Sequence, residues 1–204
     1  MAIRRLVLAL TLLLCASVVS ASTITFDAHP AEFTTPITDS GFAFSFEASG
    51  WGVFGPSSGA CCNVNYNGTT ALYAAGDRDA SVASATMSPS GGGPFMVSSF
   101  DAATYFNDTR GTLNVYGTLS GGGTVFASFG VTSTFRSFVL PSTFTDLVSL
   151  RFEDSQSGDW MQVPGFGIDN INTDAAPAVP EPASMVLLGT GLAGMVLRRL
   201  RRDR

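Results

Sequence analysis

The stretch LNVYGTLSGGGTVFASFGV, residues 113–131, decides the fold class. Leu113, Val115, Gly117 and Leu119 occupy every second position, and so do Val125, Ala127, Phe129 and Val131. A two-residue period is that of a half-buried strand, because successive side chains leave opposite faces. Between the runs stand Gly121, Gly122 and Gly123, and glycine reaches the backbone angles a tight reversal needs. The segment predicts a β-hairpin.

Working outward, the alternation recurs in Phe42, Phe44 and Phe46, and in residues 82–87 and 95–100. Further strands are predicted at 23–27, 69–73, 135–140, 147–152 and 166–171. Residues 22–174 hold no convincing 3.6-residue apolar period and no repeat of propeller or solenoid length. Short strands rich in Phe, Val, Thr and Gly predict an all-β fold, an antiparallel β-sandwich or jelly roll. A segment of roughly 150 residues makes one domain, burying about 68–70% of its unfolded surface.

The two ends differ from this middle. Arg4 and Arg5 precede an apolar run from Leu6 to Leu14, and Val19-Ser20-Ala21 supplies small residues for a cut before Ser22. That is the pattern of a signal peptide, residues 1–21, too short to span a bilayer comfortably. Leu14 before Cys15 is too bulky for a lipoprotein signal. At the other end, residues 183–197 carry no charge, and Arg198, Arg199, Arg201, Arg202 and Arg204 follow. This predicts a single transmembrane helix at 183–197 with an Arg-rich cytoplasmic end at 198–204. Residues 175–182 read as a proline-rich linker.

Val179-Pro180-Glu181-Pro182 stands just before the apolar run. A Pro-Glu-Pro triplet, a short apolar helix and an arginine-rich end together resemble the PEP-CTERM signal, over residues 179–204. The resemblance implies an exosortase as processing partner acting at Pro180, Glu181 and Pro182, and a membrane-anchored precursor bound for the cell surface or matrix. Tails of this kind also carry an ice-binding C-terminal label, but an ice-binding face needs regular Thr-x-Thr arrays, and the threonines here are irregularly spaced.

Seven of the eleven arginines lie in the two ends. Residues 22–177 hold four arginines and no lysine against eleven aspartates and three glutamates, a net charge of −10. Such a domain repels nucleic acid and anionic lipid, so neither is expected as its partner. Adjacent Cys61 and Cys62 cannot close a large loop, and their redox state is open.

Signs of catalysis are sparse. His29 is the only histidine, and no nucleophile-elbow, zinc or phosphate-loop motif is present. Asp77 with Asp79, and Asp154 with Asp159, are short-spaced aspartates of the kind turns use. A glycosidase would need two facing carboxyls about 5–10 Å apart. Trp51 and Trp160 lie beside glycine-containing loops, where exposed rings would form a platform for stacking on sugars or would cap the core.

The order of alternating strands, glycine turn and closing Phe166-Gly167-Ile168-Asp169-Asn170-Ile171 resembles jelly-roll domains of carbohydrate-binding type. That resemblance implies a structural calcium between first and last strands, held here by Asp27 and Asp169. The alternative is that Asp169 only bonds its neighbouring backbone. The expected function is that of an exported, non-enzymatic envelope or matrix protein binding extracellular polysaccharide. The alternatives are a purely structural surface protein and, less favoured, a glycoside hydrolase.

Overall fold

The structure, a computed structural model, describes residues 22–29, 37–47, 53–54, 64–75, 82–105, 110–154 and 165–173. The predicted signal peptide, linker, helix 183–197 and arginine end lie outside the described residues, as do Trp51, Trp160, Cys61, Cys62, Asp77, Asp79 and Asp159. Among the described residues, no helix is long and apolar enough to cross a membrane.

The chain forms β1 (Ser22–Ile24), β2 (Ile37–Asp39), β3 (Phe42–Glu47), β4 (Val53–Phe54), β5 (Ala71–Ala75) and β6 (Ala83–Pro89). These are followed by β7 (Val97–Thr104), β8 (Gly111–Leu119), β9 (Thr124–Val131), β10 (Arg136–Val139), β11 (Leu147–Asp154) and β12 (Gly165–Thr173). One sheet runs β10-β7-β12-β5-β4, with β1 also paired to β12; the other runs β2-β3-β6-β11-β8-β9. Every pairing is antiparallel. From β5 to β8, and again from β9 to β12, the chain passes from one sheet to the other at each strand.

The alternation explains the core. Phe42, Phe44, Ala85, Met87, Leu113, Val115, Leu150 and Phe152 face inward from the second sheet. Leu72, Ala74, Phe100, Ala102, Phe166, Ile168 and Ile171 meet them from the first. The predicted hairpin is present, with Thr118 opposite Thr124 and Tyr116 opposite Phe126. Gly122 and Gly123 take φ of 89° and 93°, angles a side chain would resist.

The two sheets differ on their outer faces. All five residues of β5 are buried, because a second apolar cluster of Ala71, Tyr73, Ala75 and Tyr105, joined by Val64 and Phe135, covers that side. Gly167 makes room for it: a Cβ there would stand 2.7 Å from Tyr73 Cε1 and 2.8 Å from Phe135 Cζ. The outer face of the second sheet carries the exposed Phe126.

Some boundaries move. The first strand stops at Ile24 and not at residue 27, because Phe26 turns to φ 56° and the His29 N–H bonds the Phe26 carbonyl at 3.0 Å. Burial holds Phe26 in this unfavourable angle, its ring 5.1 Å from that of Phe44. The strand predicted at 69–73 begins at Ala71, since the Thr69 N–H is taken by Asn67 Oδ1 at 3.1 Å. β2 and β4, of three and two residues, are additional to the predicted strands.

Candidate functional site

On the second sheet, residues out of phase with the core line the outer face, which is open at the β9 and β3 edges and closed over Ser84, which is buried. Register places Phe126, Tyr116, Arg151, Thr86 and Ser45 in one row across β9, β8, β11, β6 and β3. Five strands at the usual spacing make that row about 19 Å long. The neighbouring row is Ser128, Asn114, Glu153, Ser84 and Glu47.

At one end of the first row, Phe126 is 56% exposed and its ring lies 5.1 Å from that of Tyr116, tilted by 42°. Next along, the Arg151 guanidinium is gripped on both sides: Nη1 lies 2.7 Å from Glu47 Oε2 and Nη2 lies 2.8 Å from Glu153 Oε2. Such a fork holds a planar cation in one orientation. The Ser128 hydroxyl donates to Asn114 Oδ1 at 2.9 Å. The surface thus sets a partly apolar ring pair against oriented donors and acceptors. Tyr116 and Phe126 were legible as the out-of-phase members of the hairpin; Arg151 was legible between Leu150 and Phe152 in the same way.

A second cluster lies in the first sheet, where β12 changes partner. Its first half pairs with β5 as far as Ile168, and its last residues pair with β1 from Ile171. Between them the register slips and Asn170 takes φ 48°, which lets Ile168 and Ile171 both face the core. Asp169 sits at this break, fully buried. Its Oδ2 accepts from Asn67 Nδ2 at 2.7 Å and Thr69 Oγ1 at 3.0 Å, and its Oδ1 accepts the Asn170 N–H at 2.8 Å. Asp27 approaches from the end of β1, its Oδ1 accepting the Thr70 N–H at 3.2 Å.

Burial raises the Asp169 pKa above the ordinary aspartate value, and the Asp27 charge adds to it, against the lowering effect of the three hydrogen bonds. Tyr73 is pushed up as well, by burial first and by Asp169 second. The structure therefore brings Asp27 and Asp169 within reach of each other's charge, and Asp169 also makes the backbone bond of the alternative reading. No ion pair among the described residues reaches either carboxylate. Among those residues no group of three His, Cys, Asp or Glu is placed to hold a metal. Two carboxylates and the Thr69 hydroxyl are nevertheless hard oxygen donors of the kind calcium takes, while Asn67 turns its Nδ2 to Asp169 and its Oδ1 to Thr69.

The remaining candidates have local duties. His29 Nε2 lies 3.2 Å from Asp39 Oδ2, and the Ser40 hydroxyl donates to Asp39 Oδ1 at 2.6 Å. Asp154 is buried at the end of β11, where its Oδ2 accepts the Gly165 N–H at 2.9 Å and ties β11 to β12.

The chain resembles several solved structures in architecture. A family 61 carbohydrate-binding module in complex with β-1,4-galactotriose is 12% identical, with a TM-score of 0.42 over 74% of this chain and 94% of that one. A family 29 module complexed with cellulohexaose is 14% identical, with a TM-score of 0.45 over 77% and 94%. A family 11 module from Clostridium thermocellum, in complex with a β-1,3-1,4-mixed-linked tetrasaccharide, is 12% identical, with a TM-score of 0.40 over 78% and 98%. No curated protein matches the chain. Residues 178–202 match the PEP-CTERM protein-sorting motif, so the chain carries that motif at its C-terminus, which implies an exported, sorted protein.

Proposed function

We propose that this is a non-enzymatic envelope or matrix protein that binds extracellular polysaccharide on the outer face of its second sheet. The observation that carries the reading is the exposed Phe126 ring against the half-buried Tyr116, beside the clamped Arg151. Aromatic faces stack on the apolar sides of pyranose rings, and the oriented polar groups of the adjoining row supply hydrogen bonds to hydroxyls. Delivery follows from residues 1–21 as a signal peptide, with residues 183–197 as anchor and an exosortase acting at the Pro-Glu-Pro triplet.

Affinity electrophoresis against a panel of soluble neutral and acidic polysaccharides tests the reading. At least one gel should retard the protein, and Phe126→Ala should weaken binding about tenfold or more, as loss of a central aromatic anchor does. Trp51→Ala and Trp160→Ala provide the comparison. Loss at either tryptophan with none at Phe126 would move the platform to the loops; retardation by no polysaccharide would leave a purely structural protein.

We also propose that Asp27 and Asp169 hold a structural calcium ion. A bound divalent cation would offset the cost of ionising a buried carboxylate. With chelator present, the raised folded pKa of Asp169 means that its contribution to stability is complete below about pH 4 and is lost as pH rises through the folded value. Wild type should therefore lose melting temperature relative to Asp169→Asn on going from acid to neutral pH. Calcium at a hundredfold excess over its dissociation constant should restore about 2.7 kcal/mol to wild type at neutral pH. Melting curves unchanged by chelator would remove the ion from the site.

A further inference from the structure

Among the described residues, β9 is the outermost strand of its sheet, bonded on one side to β8 and on the other to no strand. The hairpin sets which groups face out. The Leu119 N–H bonds the Gly123 carbonyl, so with the pairing of β8 and β9 the main chain of Val125, Ala127, Phe129 and Val131 is directed at β8. Thr124, Phe126, Ser128 and Gly130 then present their N–H and C=O groups away from it. No described turn or loop hydrogen bond uses these four residues.

Natural sheets guard such edges with brevity, charge or proline. The other four edge strands are short: β1 has three residues, β2 has three and ends in Asp39, β4 has two, and β10 has four and begins with Arg136. β9 has eight residues with no charge and no proline. Residues 111–135 hold no charged side chain at all, in a segment 22–177 whose net charge is −10.

We propose that β9 pairs with β9 of a second copy, antiparallel about a two-fold axis at Ala127, to make one continuous sheet of two protomers. Thr124 then lies opposite Gly130, and Phe126 opposite Ser128, in both halves. Roughly eight main-chain hydrogen bonds close the pair. Charge selects the occupant. Acidic copies repel each other over most of their surface, and this edge is where they can approach without that repulsion. A basic foreign segment would be drawn instead to the acidic surfaces. The side chains of Phe126 remain on the outer face, with the two copies' rings diagonal to each other and within aromatic reach. The pairing stands independently of glycan binding.

Segment 22–177 contains all twelve strands and both apolar clusters, with β1 and β12 paired to each other, so it folds as its own unit. Sedimentation of this segment under reducing conditions should give a weak monomer–dimer equilibrium, dimer prevailing by about 100 μM, because strand addition buries less than a standard interface. Thr124 is exposed, and a Cβ at Gly130 meets nothing within 4 Å, so both positions accept longer side chains. The double variant Thr124→Lys/Gly130→Lys places like charges opposite each other twice and should weaken the dimer roughly tenfold. Thr124→Glu/Gly130→Glu should do the same. An equal mixture of the two variants should recover dimers as heterodimers, which misfolding would not allow. Wild type that is monomeric to about a millimolar, charged variants that dimerise like wild type, or a mixture that fails to recover would each overturn the proposal. So would slowed amide exchange at the four edge residues on adding polysaccharide without any dimer, which would assign the edge to glycan.

Discussion

Phe100→Ala is expected to destabilise the sandwich by about 3–5 kcal/mol, the range for removing a fully buried aromatic ring. Phe100 is inaccessible to solvent in β7, and its ring touches three others: Phe152 at 5.1 Å, Phe129 at 5.6 Å and Phe138 at 5.7 Å. Phe152 and Phe129 belong to the opposite sheet, so the ring is a link between layers as well as a filler. Deleting it leaves a cavity that paired strands on both sides cannot close. For a domain of this size the melting temperature should fall by roughly 6–20 °C. Urea unfolding measures the loss directly, and a change under about 1 kcal/mol would mean that the layers are not held together there. Phe126→Ala provides the contrast. Its ring is more than half exposed, so stability should move by only about 0.5 kcal/mol while binding suffers.

Replacing Pro180, Glu181 and Pro182 with alanine is expected to block processing while leaving export and folding intact. Each proline fixes its own φ and drives the residue before it toward an extended conformation. Proline at two of three positions limits the conformations such a peptide can reach, which suits recognition in an enzyme cleft, and alanine lifts that limit. In a host that encodes the exosortase, the variant should accumulate as an uncleaved form in the membrane fraction, where wild type is released. In a host without the enzyme the two should look alike. Deletion of residues 183–204 should instead yield soluble protein directly. Fractionation with mass analysis reads all three outcomes. Release of the alanine variant as efficient as wild type would refute a sorting role for the triplet.

The hairpin was legible because its period belongs to its own residues: Leu113, Val115, Val125 and Ala127 alternate whatever surrounds them. β2 and β4 were not, because two or three residues carry no period. Ile37 is in a strand only because Phe44 lies opposite it, and Val53 only because Leu72 does. β5 illustrates a second limit. Its Ala-Leu-Tyr-Ala-Ala run is apolar on both faces, and only the fold brings Tyr105 and Phe135 over the side that alternation would leave to water. Hence the sequence could show that Phe126 and Tyr116 leave the core, but not that their sheet face stays open while the other is covered. Trp51 and Trp160, beside glycine-containing loops, lie outside the described residues; the surface described above consists of a phenylalanine, a tyrosine and an arginine from three different strands. Asp27 and Asp169 came from a resemblance, and their proximity depends on the exchange of partners along β12.

That exchange bears on how the domain carries a mechanical load. Ser22 lies opposite Thr173, so the entry and exit of the sandwich are neighbours. Tension transmitted through the C-terminal tail arrives first at β12, which lies inside its sheet with β7 along one side and β5 then β1 along the other. Pulled along its axis, a strand flanked on both sides loads its ladder bonds in parallel, so that many must yield together. An edge strand such as β9 or β10 can be peeled one bond at a time. A sheet whose last strand is its most enclosed one is therefore arranged to resist a pull on its C-terminal end, and its weak direction lies across the strands, at its rims.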